Sequence, residues 1–187
     1  MKPEQLLKEY ASGRRDFREI TLSKVSLRTV KLVGIDLHGS NLHGVDFTGA
    51  DLTGANLSHC YLFEAVCRSS ILKHADLSNS DLSWANFTWA NLTGANLSKC
   101  DLNTTNFSGA NLIEANFTRA NLKATNLRST NLKNAILIGL STIDDADFSD
   151  VKNLNDQARA YLHLMAEGVH PFTKKQTKET LKQLRNH

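Results

Sequence analysis

The chain has 187 residues, a formal net charge of +3 and 7% aromatic residues. That length fits one domain with flanking pieces, and no apolar run approaches the roughly 20 residues that span a bilayer. The charge sums to +1 over residues 1–16, −2 over 17–150 and +4 over 151–187, without the concentrated basic footprint of a nucleic-acid binder.

The first predicted element is a helix over Pro3–Ser12, with Pro near its start, Leu6, Leu7 and Tyr10 on one side, and Gly13 as its stop. Met1-Lys2-Pro3-Glu4-Gln5 lacks the apolar segment of a secretory signal. A repeat then takes over. Steps of five from Phe17 to Leu137 give 25 positions: nineteen Leu, five Phe (Phe17, Phe47, Phe87, Phe107, Phe117) and Cys67. The residue before each is Asp or Asn in 18 of the 25. The residue two before is usually small or β-branched, as in Ala50-Asp51-Leu52-Thr53-Gly54.

A period of five excludes both common elements. In a helix five residues advance by a net 140° or so, scattering the leucines around the axis. In a flat strand a step of five flips the side chain to the other face. A chain that turns a corner in every unit keeps them on one side, and Asp, Asn and Gly suit such corners. The chain must coil around a continuous core, with coils roughly 4.8 Å apart.

These units resemble the pentapeptide-repeat family, whose pattern is Ala-(Asp/Asn)-Leu-X-X. The match runs through residues 15–139, with Ala146-Asp147-Phe148-Ser149-Asp150 as one further unit. The resemblance implies an all-β solenoid: a right-handed quadrilateral β-helix, four units per coil, about six coils and a rod about 30 Å long. Columns taken every 20 residues make sense in that frame. Phe47, Cys67, Phe87 and Phe107 form a ladder with one gap, and Leu57, Leu77, Leu97 and Phe117 share another column. Bulkier small-site residues (Ile20, Val25, Val30, Ile35, Val45) mark the early coils as wider or differently packed. Ile143 and Phe148 fall one residue late, which predicts a bulge or loop near 139–142.

Open coil ends invite edge-to-edge stacking, so caps are expected. Residues 1–14 read as an N-terminal cap, 15–150 as the solenoid and 151–187 as a C-terminal helical segment. The second helix is placed at about 156–167, with Asn155 as N-cap, Gly168 after its end, and Leu154, Ala158, Tyr161, Leu162 and Met165 as an apolar stripe. The third is placed at about 174–185, isolated by Pro171, with Thr173 and Gln176 in capping-box positions. Three placements stay open for it: against a partner, against a second copy, or loose.

Candidate sites are few. Trp84 and Trp89 occupy neighbouring corners, and Tyr61 and Phe63 lie one coil below on the Trp84 side. Val66 and Ile71 replace Asp or Asn nearby, so this is the least polar stretch of the surface and a candidate interaction patch. His38, His43, His59 and His74 point outward, and His38 and His59 fall within reach across coils. No carboxylate or thiol completes a metal sphere around them. Asp144, Asp145, Asp147 and Asp150 lack EF-hand spacing. Cys60, Cys67 and Cys100 are inward, and Cys60 and Cys100 stand two coils apart, too far for a disulfide. A reducing cytoplasm follows as the expectation.

No phosphate loop, nucleophile triad or dinucleotide fingerprint occurs. The reading is a non-enzymatic scaffold or protein-interaction rod without a cofactor. Its partner is a protein of unidentified kind, a homodimer through the C-terminal helices or an open coil end being one form. The resemblance implies one alternative, because some relatives bind DNA gyrase as duplex mimics. That role needs sustained negative potential, and residues 17–137 hold 11 basic and 9 acidic side chains.

The inward and outward assignment is testable by melting. Leu97→Lys is expected to cost several kcal/mol by burying an unpaired charge. Ser98→Lys, one residue away, is expected to stay within about 0.5 kcal/mol. Equal melting of the two variants contradicts the assignment.

Overall fold

A computed structural model of the chain describes residues 1–166 and 172–182. The chain winds into a solenoid of stacked coils. Single-residue parallel bridges join positions 20 apart, from Asp16–Asp36 and Thr21–Asn41 to Asn116–Ile136. Four bridges complete each coil, so four five-residue units make one turn. Each side is too short to extend into a continuous strand among the described residues. After Ile136 the interval becomes 21, as in Asn121–Thr142 and Asn131–Lys152. The extra residue is absorbed at Leu140–Ser141, where the Ser141 N–H and hydroxyl both donate to the Ala120 carbonyl.

The unit Ala50–Gly54 shows why five residues suffice. Its five N–H groups have five destinations. Ala50 donates to Phe47 C=O across the corner (2.9 Å), and Asp51 to Val30 C=O in the coil before (2.9 Å). Leu52 and Gly54 donate to Ile71 and Lys73 C=O in the coil after (2.7 and 2.8 Å). The Thr53 N–H goes to the Asp51 side chain (3.1 Å). Asp or Asn recurs before Leu because its Oδ1 caps the one amide that the coil geometry leaves over. The fifth residue of each unit is left-handed, φ +65° at Gly54, which favours glycine but does not demand it.

The Leu and Phe side chains fill the axis. Phe17, Leu52, Phe87, Leu97 and Phe117 are all fully buried. Phe87 and Phe107 stack at 5.2 Å between ring centroids, and Phe107 meets Phe117 edge-on at 6.3 Å. Cys67 interrupts the column between Phe47 and Phe87. Small polar side chains in the wall satisfy themselves locally. Cys60, Ser80, Cys100, Thr105 and Thr125 each donate to the carbonyl 23 residues earlier, at 2.8–3.0 Å. All three thiols are free, and burial pushes Cys60 and Cys100 up to about 12 and Cys67 higher still.

The N-terminal coil edge is covered by α1 (Pro3–Ala11) and the residues around it. Leu6 is fully buried, and Leu7, Tyr10, Ile20, Val25 and Val30, all partly buried, pack against the core cluster. The first coil's outward-facing carbonyls, which lack a preceding rung, take side-chain or terminal donors instead. The Tyr10 hydroxyl donates to Val33 C=O (2.8 Å), Arg14 Nε to Asp16 C=O (2.6 Å), and the Met1 amino group to Thr21 C=O (3.2 Å).

At the other end lie α2 (Asp156–Met165) and α3 (Thr177–Lys182). Asn155 caps α2 by accepting the Ala158 N–H at 2.8 Å. Leu162 and Leu181 are fully buried against the last coil. The third helix starts three residues later than expected. Lys174 is left-handed, φ +57°, which breaks the helical run, and Gln176 accepts the Glu179 and Thr180 N–H groups instead of Thr173 acting as cap. Gly168, Pro171 and the expected helix end at 183–185 lie outside the described residues.

The segment leading into α3 is tied to the last coil around Asp147. The Asp147 Oδ1 accepts the Ser149 N–H and hydroxyl at 2.8 and 2.5 Å. Lys175 Nζ reaches the Ser149 hydroxyl at 2.9 Å, and the Thr180 hydroxyl accepts the Phe148 N–H at 3.1 Å. Burial alone would raise the Asp147 pKa. The hydrogen bonds from Ser149 and Thr173 and the charge of Lys175 outweigh it, and the carboxyl is held below its ordinary value. A depressed folded pKa stabilises above the unfolded value, and the contribution is lost as pH falls through the folded one. Asp147→Asn is therefore expected to melt below wild type at neutral pH, with the gap closing below about pH 4. Melting both proteins from neutral to strongly acidic pH checks this; a constant gap contradicts it.

Candidate functional site

Of the four aromatic candidates, Tyr61 and Phe63 are in ring contact with each other. They stack in parallel, with ring centroids at 6.0 Å, and His43 of the coil before lies on Phe63 at 5.7 Å. The His43 ring nitrogen Nδ1 is 3.1 Å from Phe63 C=O. Trp84 instead meets Phe172, edge-on at 6.2 Å. Among the described residues no ring contact joins the Tyr61–Phe63 pair to either tryptophan, or one tryptophan to the other. The unit's geometry sets the pair apart from the tryptophans. Tyr61 and Phe63 stand at the second and fourth positions of their unit, whereas Trp84 and Trp89 stand at left-handed fifth positions (φ +63° and +61°).

A fifth-position side chain leans over the corner of the next coil. Beneath Trp89 that corner is Gly109, where an added Cβ would lie 2.4 Å from the indole. Beneath His74 it is Gly94, where an added Cβ would lie 2.5 Å from His74 Nδ1. Trp89 thus lies flat on bare backbone and is still 66% exposed; Trp84 is 52% exposed. Trp84, Phe172, Thr104, Asn106 and Asn126 line a recess of about 210 Å³. Phe172 had no signal in the sequence: it sits outside the repeat, and only the return of the C-terminal segment brings it to Trp84.

The apolar character of this region also has a backbone counterpart. Tyr61, Val66 and Ile71 stand where Asp or Asn caps the amide two residues on. The N–H groups of Phe63, Arg68 and Lys73 accordingly lack that bond, whereas Ser78 and Ser83 keep theirs at 3.0 and 2.9 Å.

His38 and His59 do meet across coils, ring centroids 5.1 Å apart, and His38 Nδ1 lies 2.9 Å from the Ser58 hydroxyl. Among the described residues no group of three or more His, Cys, Asp or Glu side chains is arranged to hold a metal. No helix among them is long and apolar enough to cross a membrane. Charge is layered rather than one-sided. Arg119, Lys123, Arg128 and Lys133 lie in one coil and Asp144, Asp145, Asp147 and Asp150 in the next, with Arg128 paired to Asp150 at 3.3 Å.

Coils of four five-residue units, with leucine inside and side-chain-capped corners outside, define a repeat solenoid whose outward residues are replaceable. A family model for pentapeptide repeats, in 8 copies, matches residues 21–58, 60–98, 85–123 and 105–152. The chain belongs to the pentapeptide-repeat family. Among solved structures it is similar to a pentapeptide repeat protein of the Arabidopsis thaliana thylakoid lumen, at 36% identity over 74% of this chain and 88% of that one, with a TM-score of 0.33. It is also similar to QnrB1, a plasmid-mediated fluoroquinolone resistance protein (22% identity, 76% and 87% covered, TM-score 0.48). HetL, involved in heterocyst differentiation regulation in the cyanobacterium Nostoc, matches at 22% identity, with 81% and 96% covered and a TM-score of 0.29. No curated protein matches the chain.

Gly109→Ala tests the Trp89 support. It combines left-handed strain with overlap against the indole, and a loss of about 1–3 kcal/mol is expected. Adding Trp89→Ala should remove the overlap and leave only about 1 kcal/mol of strain. Denaturant unfolding of the four-variant cycle measures the coupling; strict additivity would show that the ring does not rest on Gly109.

Proposed function

We propose that the chain is a rigid, non-catalytic interaction module, and that a protein partner docks on the Trp84–Trp89 corners. One observation carries the reading: two large aromatic side chains are held half or more exposed on adjacent corners, supported by a fully packed core beneath. Aromatic side chains on a rigid support lose little conformational freedom on binding, which makes them effective anchors. The Tyr61–Phe63–His43 stack is a secondary contact in this proposal. The winding is taken as right-handed, the hand that the family resemblance implies. A reducing cytoplasm suits three buried free thiols.

Duplex mimicry of gyrase substrate is not favoured. The acidic residues of the last coil are faced by basic residues in the coil before it, and the Arg128–Asp150 pair spends part of that field. Pairing of two chains through α2 and α3 is also left aside, because Leu162 and Leu181 are buried on their own rod.

The double variant Trp84→Ala with Trp89→Ala is expected to stay folded, with a loss of about 1–3 kcal/mol from the buried parts of the two rings, while losing its proximity-labelled partners in the native cell. An unchanged partner set rules out the aromatic corners. Inhibition or protection of gyrase supercoiling by the purified chain would replace the module reading with the mimic.

A further inference from the structure

The last coil leaves the side that carries Leu137 open among the described residues. On the same side of each lower coil another rung follows, and the pattern is constant. Above Leu77, the rung at 94–99 accepts the Leu77 N–H on Asn96 C=O (2.8 Å) and the Asn79 N–H on Ser98 C=O (3.0 Å). It also gives its Asn96 N–H to Ala75 C=O (2.9 Å). The equivalent groups at the top of this column are the Leu137 and Gly139 N–H and the Ala135 C=O. None of the three has a hydrogen-bond partner among the described residues. Ile136 stands in place of Asp or Asn, so the Ile138 N–H is uncapped as well.

Apolar surface accompanies these open groups. Ile136, Leu137 and Ile138 face Ala158 and Tyr161 of α2 across a groove of about 310 Å³. Ile138 is 70% exposed. An apolar slot bordered by unpaired main-chain donors and an acceptor is the arrangement that strand addition uses: the main chain supplies the hydrogen bonds and the pocket takes a side chain.

We propose that this edge docks one extended segment of another polypeptide as a further parallel rung. Two of its carbonyls, two residues apart, accept the Leu137 and Gly139 N–H. One of its N–H groups donates to Ala135 C=O. The residue between the two carbonyls is a large aliphatic one and enters the groove beside Tyr161, as Leu97 enters the core between Asn96 and Ser98. The occupant is a single segment rather than a second coil end. A second rod would bring four sides at once, and α2 and α3 already cover part of this end, with Thr180 on the Phe148 N–H. The site is separate from the tryptophan corners and does not depend on them.

The probe is the capped synthetic peptide of residues 92–99, a rung that takes this position in its own column. Titration of the full chain, followed by amide exchange, is expected to give saturable binding. At peptide about ten times its dissociation constant, exchange at Leu137 and Gly139 should slow about tenfold. The Leu97→Asp peptide should not bind. Ile138→Asp, an exposed change, should abolish binding without shifting the melt, whereas Trp84→Ala with Trp89→Ala should leave it intact. The proposal is overturned by absent binding at millimolar peptide, by equal binding of the Leu97→Asp peptide, or by protection of other amides. It is equally overturned if the chain alone dimerises with concentration and protects Leu137 and Gly139 without peptide, which would make a second copy the occupant.

Discussion

The coil-to-coil hydrogen bond is the constraint on which the rest of this molecule depends. Each unit offers five N–H groups, three of which pair with the coils before and after. Leaving such groups unpaired inside a packed wall would cost about as much per group as a hydrogen bond is worth. A unit can therefore gain a residue only where the bonds to the neighbouring coil are kept, as they are around Ser141. The single insertion, at Leu140–Ser141, occurs where the ladder is near its end and only a few bonds follow.

The same constraint governs the two ends. A coil edge facing the N-terminus exposes mainly carbonyls, and an edge facing the C-terminus exposes mainly N–H groups. The N-terminal cap answers with donors: a phenol, a guanidinium and the terminal ammonium. The C-terminal cap answers with a hydroxyl acceptor from Thr180. Each cap supplies the chemistry its edge lacks, which blunts the stacking that bare rods invite. The C-terminal cap does so over only part of the last coil.

Rigidity and exposure come from different residues. The axis of Leu and Phe fixes the corners, so a fifth-position side chain is presented in one place rather than sampled. Trp89 is held because Gly109 offers no Cβ to lift it. The buried polar groups do not weaken the wall, since Cys60, Ser80, Cys100 and the buried threonines reach a carbonyl one coil away. With their protons held by burial, the thiols serve as short donors rather than nucleophiles.

By itself the sequence determined the coil, its inward column and the register change after Leu137, because a period of five has few physical solutions and repeats two dozen times. It also identified Trp84 and Trp89 as exposed, since their positions in the unit are periodic. It did not separate them from Tyr61 and Phe63, because neighbouring columns on one face are distinguished by where side chains lean, not by spacing. Nor did it bring Phe172 to Trp84, start α3 at Thr177 or leave Leu137 and Gly139 unpaired. Those outcomes belong to the non-repeating C-terminal segment, whose path is set by the few side chains that tie it back, Lys175 and Thr180 among them, and tertiary contacts of that kind leave no period to read.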